Sequence, residues 1–161
     1  MDKDSSIHPR RGLGNLVRPH LETFQRVGTE GRRHGDVGGV TLPVLFKRVA
    51  DATDLPIVVY NVPGRTGSNI EAKTSLALAE IPNIVAVKEA SGNAAQILDI
   101  LKDRPEHFSV LSGDDEMTLG LMSAGADGVI SVVSNATPRA MARMCEAALA
   151  GDFGEARKLF F

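Results

Sequence analysis

From Val40 onward the sequence alternates, four times over, between short apolar runs and stretches with helical apolar spacing. Residues 55–62 form a continuous apolar, β-branched run, the pattern of a strand buried on both faces. Residues 84–90, 108–111 and 128–133 repeat that pattern in shorter form. Helical spacing occupies residues 44–52, 70–79, 94–102 and 116–123 between and before these runs, with Pro82 closing the second of them. Pro138 opens a further helix that runs to Ala150, since proline fits the first turn and its missing N–H costs nothing there. Gly151 and Asp152 break it, and another helix starts at Phe153.

This rhythm is that of βαβ units in a parallel sheet, which come mainly as doubly wound open sheets or as closed barrels. No glycine-rich dinucleotide fingerprint follows any of the strands. Polar residues instead collect just beyond the strand C-termini: Tyr60 with Asn61, Lys88 with Glu89, Gly113 with Asp114, Ser131 with Asn135. A (β/α) barrel builds its active site in this way, one contribution per strand end. The expected fold is therefore α/β, a (β/α)8 TIM barrel or part of one, with four βα units visible where eight close a barrel.

The remaining composition narrows the function classes. Among 161 residues the net charge is −2, which gives no electrostatic reason to expect a nucleic acid as partner. The single cysteine, Cys145, cannot form an internal disulfide, and a reducing compartment is its default setting. No apolar run is long enough to span a bilayer, and the N-terminus lacks the apolar stretch of a secretory signal. The expectation is a cytoplasmic protein with small-molecule substrates. Residues 1–39 differ in character, being rich in Arg, Gly and His, and residues 28–39 have almost nothing to bury. They are expected to be an unrelated, disordered segment, joined to the rest by a reading-frame error or a deletion. Interspersed acids argue against a basic nucleic-acid arm, and His8, His20 and His34 have no metal-ligand spacing.

Several strand-end residues could carry chemistry. Lys88 follows the apolar run of residues 84–87. An amine at an apolar barrel mouth is costly to keep charged, which makes the neutral nucleophile available to attack a ketone and form an imine. Tyr60, the one tyrosine, ends its strand and could shuttle protons. Arg65 is presented by the loop of residues 63–67, whose proline and two glycines set a defined turn, and a guanidinium can grip a carboxylate in bidentate fashion. Asp114 and Asp115 could bind a divalent cation, although Asp115 capping a helix near Glu116 is the simpler reading. The carbonyl of a strand-end residue such as Ile130 could reach a bound substrate. Taken singly, each residue also has an ordinary structural role: a lysine reaching solvent, a packed tyrosine, a solvated loop arginine.

In combination their order is specific. Residues 60–67 (YNVPGRTG), 87–93 (VKEASGN), 112–115 (SGDD) and 128–132 (GVISV) closely resemble the dihydrodipicolinate synthase (4-hydroxy-tetrahydrodipicolinate synthase) family over about residues 44 to 161. The resemblance implies a (β/α)8 barrel with a small C-terminal helical domain, usually a homo-oligomer. The implied reaction condenses pyruvate with aspartate semialdehyde on the way to diaminopimelate and lysine. Lys88 then matches the imine-forming lysine and Tyr60 the proton-relaying tyrosine. Arg65 matches the arginine that binds the semialdehyde carboxylate, and Ile130 the position whose main-chain carbonyl lies beside pyruvate. No metal or organic cofactor is implied, because the imine itself serves as electron sink. On this alignment residues 40–150 are strands five to eight of the barrel and residues 151–161 begin the helical domain. The family's first four strands, its Gly-Thr-Thr-Gly-Glu loop and a second tyrosine inserted by a neighbouring subunit have no counterpart in the sequence. A truncated form with little or no activity of its own is therefore expected. Other pyruvate-dependent aldolases, such as N-acetylneuraminate lyase, share the tyrosine and lysine, and Arg65 in its Pro-Gly-Arg-Thr-Gly setting favours the synthase. A half barrel acting only as an interaction subunit is the non-catalytic alternative.

Overall fold

The computed structural model describes residues 36–37 and 40–161. Two short strands, β1 (Asp36–Val37) and β2 (Val40–Thr41), pair antiparallel and lead into helix α1 (Leu42–Asp51). That small ladder falls in part within the segment expected to lack structure. The histidines His8, His20 and His34, and the rest of that segment, lie outside the described residues.

The main sheet has four parallel strands in sequence order: β3 (Ile57–Asn61), β4 (Ile84–Glu89), β5 (Ser109–Ser112) and β6 (Gly128–Val129). Helix α3 (Ala72–Ala79) connects β3 to β4, α4 (Ala94–Asp103) connects β4 to β5, and α5 (Thr118–Ser123) connects β5 to β6. Neighbouring helices touch one another in the same order as their strands. This is the barrel rhythm expected from the alternating runs. Helices and sheet enclose one core, in which Leu78, Ile84, Val87, Ile97, Ile100, Phe108 and Val110 are almost wholly buried. Each such side chain contributes roughly 1.5–3 kcal/mol of hydrophobic stabilisation.

Helix α6 (Pro138–Leu149) and helix α7 (Phe153–Phe160) form an antiparallel hairpin that closes one end of this core through Met144, Ala148 and Ala156. The break expected at Gly151 is a left-handed residue (φ 80°), and Asp152 caps α7 by accepting the Glu155 amide at 2.9 Å.

Three expectations are corrected. The first strand is shorter than residues 55–62 and is not buried on both faces: Leu55 and Val58 are 46% and 41% exposed. The reason is its place at the edge of the sheet, where its helix-free face has no cover among the described residues. The last strand is reduced from six residues to Gly128–Val129, because the chain beyond Ile130 is drawn into a 3-10 turn, Val133–Asn135. Residues 63–67 are a single helical turn, α2 (Pro63–Thr66), with Pro63 at its start and Gly67 left-handed (φ 69°) at its end. The Gly67 amide donates to the Pro63 carbonyl at 2.8 Å.

One irregularity in the sheet positions everything that follows. Ile57 pairs with Ile84, but Val58 pairs with Ala86, so Val85 has no partner on β3. The extra residue advances the rest of β4 by one and sets Tyr60 opposite Lys88 and Asn61 opposite Glu89. Had the first pairing continued without the bulge, Lys88 would face Asn61, and Tyr60 would face Val87.

Candidate active site

Side chains alternate across a strand, so neighbours in sequence point to opposite faces. Asn61 and Glu89 face the helices: both hydrogen-bond to each other, and Glu89 also accepts from Gln96 on α4. Tyr60 and Lys88, one residue earlier on each strand, therefore occupy the helix-free face, the one that lines the inside of a barrel. There the Lys88 Nζ lies 4.1 Å from the centroid of the Tyr60 ring. Lys88 is only 9% exposed, so a strand-end lysine reaching freely into solvent is not what the fold produces. A cation held against an aromatic face is worth about 2 kcal/mol where water is excluded. The sheet thus brings two of the four expected site residues into direct contact.

The other two sit at the same end of the sheet. Ile130 follows β6 directly, and its amide donates to the Ser112 carbonyl at 2.9 Å, which extends the ladder past the last strand residue. Its carbonyl therefore belongs to the strand ends that carry Tyr60 and Lys88. Arg65 stands on the turn α2 that follows β3, exposed and without a carboxylate partner among the described residues.

Three further residues shape this end of the sheet. Gly113 packs so tightly that an added Cβ would lie 2.7 Å from Ala90 Cβ, 3.1 Å from the Glu89 carbonyl and 3.1 Å from Lys88 Cε. The Gly113 amide also donates to that carbonyl at 2.7 Å. The close approach holds the lysine stem against β5, and only glycine permits it.

Asp115 does not cap a helix near Glu116, contrary to expectation. Its Oδ2 instead accepts the amides of Val132 and Val133, both at 3.0 Å, and so anchors the turn that follows Ile130. The local turn is made by Asp114, whose Oδ1 accepts the Glu116 amide at 3.1 Å. Burial alone would push the Asp115 carboxyl up. The nearby Ser131 hydroxyl, the two amides and the Lys88 cation outweigh it and hold the group below its ordinary value. Its buried Oδ1 meets no donor at hydrogen-bond distance among the described residues. The two carboxylates of the Asp114–Asp115 pair each accept backbone amides here.

Glu89 is the third. It is buried to 1% exposure with no cation paired to it among the described residues, and burial pushes its carboxyl up against the opposing hydrogen bonds of Gln96, Asn61 and Ser91. Its position next to a lysine gave no sequence signal of burial, since Lys-Glu reads as a solvated pair. The one available hint was strand alternation, which places residue 89 opposite in face to residue 88.

Fold and site together define one half of a (β/α)8 barrel with its polar residues gathered at the strand C-termini. The chain belongs to the dihydrodipicolinate synthetase family, whose model matches residues 41–160. The 4-hydroxy-tetrahydrodipicolinate synthase of Parabacteroides distasonis is 56% identical over 115 residues, which are 71% of this chain and 39% of that protein. Among solved structures, dihydrodipicolinate synthase from Aquifex aeolicus superposes with a TM-score of 0.69 at 49% identity, covering 71% of this chain and 40% of that one. The chloride-inhibited dihydrodipicolinate synthase from Acinetobacter baumannii, complexed with pyruvate, gives a TM-score of 0.69 at 43% identity, with 71% and 40% covered. The chain spans about two fifths of the length of the relatives it matches.

Proposed function

We propose that this chain carries the pyruvate-activating site of a 4-hydroxy-tetrahydrodipicolinate synthase, with Lys88 as the imine-forming residue. The observation that carries the reading is a buried amine seated on the Tyr60 ring at the C-terminal end of a parallel sheet. The Lys88 nitrogen adds to the ketone carbon of pyruvate, and the carbinolamine loses water to give the imine. Loss of a methyl proton then gives an enamine, whose carbon attacks an aldehyde. In this reading Tyr60, whose ring the amine meets, donates the proton that leaves with water and accepts one later. The aldehyde partner in this reading is aspartate semialdehyde, its carboxylate held by Arg65 in bidentate fashion. The Ile130 carbonyl faces the pyruvate side of the site.

The assignment covers pyruvate activation; the complete condensation, in the route to diaminopimelate and lysine, is read for the longer assembly to which residues 40–150 contribute strands five to eight. Residues 151–161 begin the helical domain in the same reading. The partners are small molecules and further barrel units of the same family. The exposed Val58 on β3, at 41%, supports barrel partners on the helix-free face. No helix among the described residues is long and apolar enough to cross a membrane.

Borohydride reduction in the presence of pyruvate tests the proposal. The expected result is a reduced pyruvyl adduct localised by peptide mapping to Lys88 and absent from Lys88→Met. An unmodified chain, or an adduct on another lysine, overturns the reading and favours a structural half barrel. If the adduct forms, turnover with aspartate semialdehyde after supplying the missing barrel half separates a synthase from a lyase of sugar acids.

A further inference from the structure

Glu89 is a buried acid that the reaction above does not use. Its carboxylate accepts from Asn61 Nδ2 at 2.8 Å and from the Ser91 amide at 3.3 Å through Oε1, and from Gln96 Nε2 at 2.9 Å through Oε2. Taking a carboxylate out of water without a cation costs several kcal/mol, and an apolar residue would fill the same space at lower cost. A group kept at such a disadvantage needs a reason.

The orientation of the network supplies one half of that reason. Asn61 Oδ1 accepts the Ile70 amide at 2.9 Å while its Nδ2 donates to the Ile70 carbonyl at 3.2 Å, so the backbone fixes which way the Asn61 amide points. Gln96 Nε2 also donates to the Ile70 carbonyl, at 3.2 Å, and Gln96 Oε1 accepts from Asn69 at 2.8 Å. Both neighbours of residue 89 therefore present donors. A carboxylate accepts from both; a carboxamide of the same shape would set a donor against a donor.

Location supplies the other half. Asn61 and Glu89 are the register pair immediately after Tyr60 and Lys88. The ladder between β3 and β4 ends there, with the Ala90 amide donating to the Asn61 carbonyl at 2.8 Å. The last rung of an edge strand is where a sheet opens most readily. We propose that Glu89 is a positioning residue: its hydrogen bond to Asn61, on the helix side of the sheet, clamps the end of β3 to β4 and so holds the Lys88 amine over the Tyr60 ring on the opposite side. The catalytic consequence rests on the imine reading of Lys88; the placement itself does not.

The test uses the full chain with Glu89→Gln and, for comparison, Gln96→Met. Gln96 belongs to the same network but does not join the two strands. Two readouts are taken: the ring-current shift of the Lys88 ε-methylene protons by NMR, and the rate of borohydride-trapped pyruvate adduct across pyruvate concentrations. E89Q is expected to lose the upfield shift and to lower the saturating trapping rate by about a hundredfold, the scale of a misplacement of order 1 Å. Q96M is expected to lower the melting temperature while keeping both readouts. Retention of the upfield shift in E89Q overturns the proposal, as does equal loss in E89Q and Q96M, which would mark a purely structural network. If the parent chain forms no adduct, the imine reading fails and the ring-current comparison alone decides the positioning role. Should E89Q not fold, Glu89→Asp takes its place: it keeps the charge but shortens the reach to Asn61, and an unchanged upfield shift there also overturns the proposal.

Discussion

Lys88 Nζ rests 4.1 Å from the centroid of the Tyr60 ring, and the two residues are register partners on adjacent parallel strands. Ring and hydroxyl make separable contributions to this pair. Tyr60→Phe keeps an aromatic face for the amine and removes the proton carrier. It is expected to leave the Lys88 ring-current shift in place while slowing adduct formation by about 10²-fold, the scale of general acid–base assistance. Tyr60→Leu removes both and is expected to abolish the shift as well. Trapping rates and NMR on the two variants check the separation.

Gly113 makes a second, steric prediction. In Gly113→Ala the new Cβ meets the Glu89 carbonyl at 3.1 Å and Ala90 Cβ at 2.7 Å, and neither can swing away as a long side chain would. The remaining yielding group is the Lys88 stem, whose Cε stands at 3.1 Å. The substitution is expected to cost about 1–3 kcal/mol of stability through overpacking and to displace the amine. Denaturant unfolding gives the first, and loss of pyruvate trapping with retained helical content gives the second.

Much of this arrangement is readable from sequence, and the reason is periodicity. The run ending in Tyr60 and the run ending in Lys88 are apolar because the helices bury one face of each strand, so their polar termini stand out. The bulge at Val85 leaves no such mark, because an extra valine within Ile-Val-Ala-Val looks like more strand. Yet that residue decides that Tyr60 and Lys88 share a rung. Asp115 is illegible for another reason: its partners, Val132 and Val133, are backbone amides 17 and 18 residues away, and backbone groups carry no sequence signature. The same contact pulls the chain out of β-structure after Ile130, which is why an apolar run of six residues yields a strand of two. The helix expected from Ile70 begins at Ala72, since the Ile70 amide and carbonyl are already held by the Asn61 side chain.

The two perturbed carboxyls predict opposite pH dependences in separate windows. Glu89 has its folded value raised above the ordinary 4.5, so the stability it contributes is fully present below 4.5 and is lost as pH rises through the raised folded value. Asp115 has its folded value lowered from the ordinary 3.8, so its contribution is present above 3.8 and is lost as pH falls through the lower folded value. Unfolding measured from acid to neutral pH is expected to show both limbs. E89Q should flatten the limb above 4.5 and Asp115→Asn the limb below 3.8. A parent chain whose stability rises steadily from pH 4.5 to 7 would contradict the Glu89 assignment.

The opposite end of the sheet gives a prediction that separates folding from site chemistry. Arg104, just after α4, pairs with Asp127, just before β6; Arg104 also donates to the carbonyls of Phe108 at 3.3 Å and Gly125 at 2.9 Å. Asp127 Oδ2 accepts the Val110 amide at 2.8 Å as well. The pair thus fastens the entrances of β5 and β6, at the strand N-termini, where Lys88 and Tyr60 are not. Arg104→Met leaves the Asp127 carboxylate half-desolvated without its cation and is expected to cost about 3 kcal/mol. Adding Asp127→Asn removes the stranded charge while a carboxamide oxygen still accepts the Val110 amide, so the double variant is expected to be more stable than Arg104→Met alone. Pyruvate trapping at Lys88 should stay within twofold of the parent (~0.4 kcal/mol) in whichever variants remain folded, since sites this far apart contribute independently. A loss of trapping in the folded double variant would show that the strand N-termini set the geometry of the site, and the clamp at Asn61 and Glu89 would then not be sufficient to hold it.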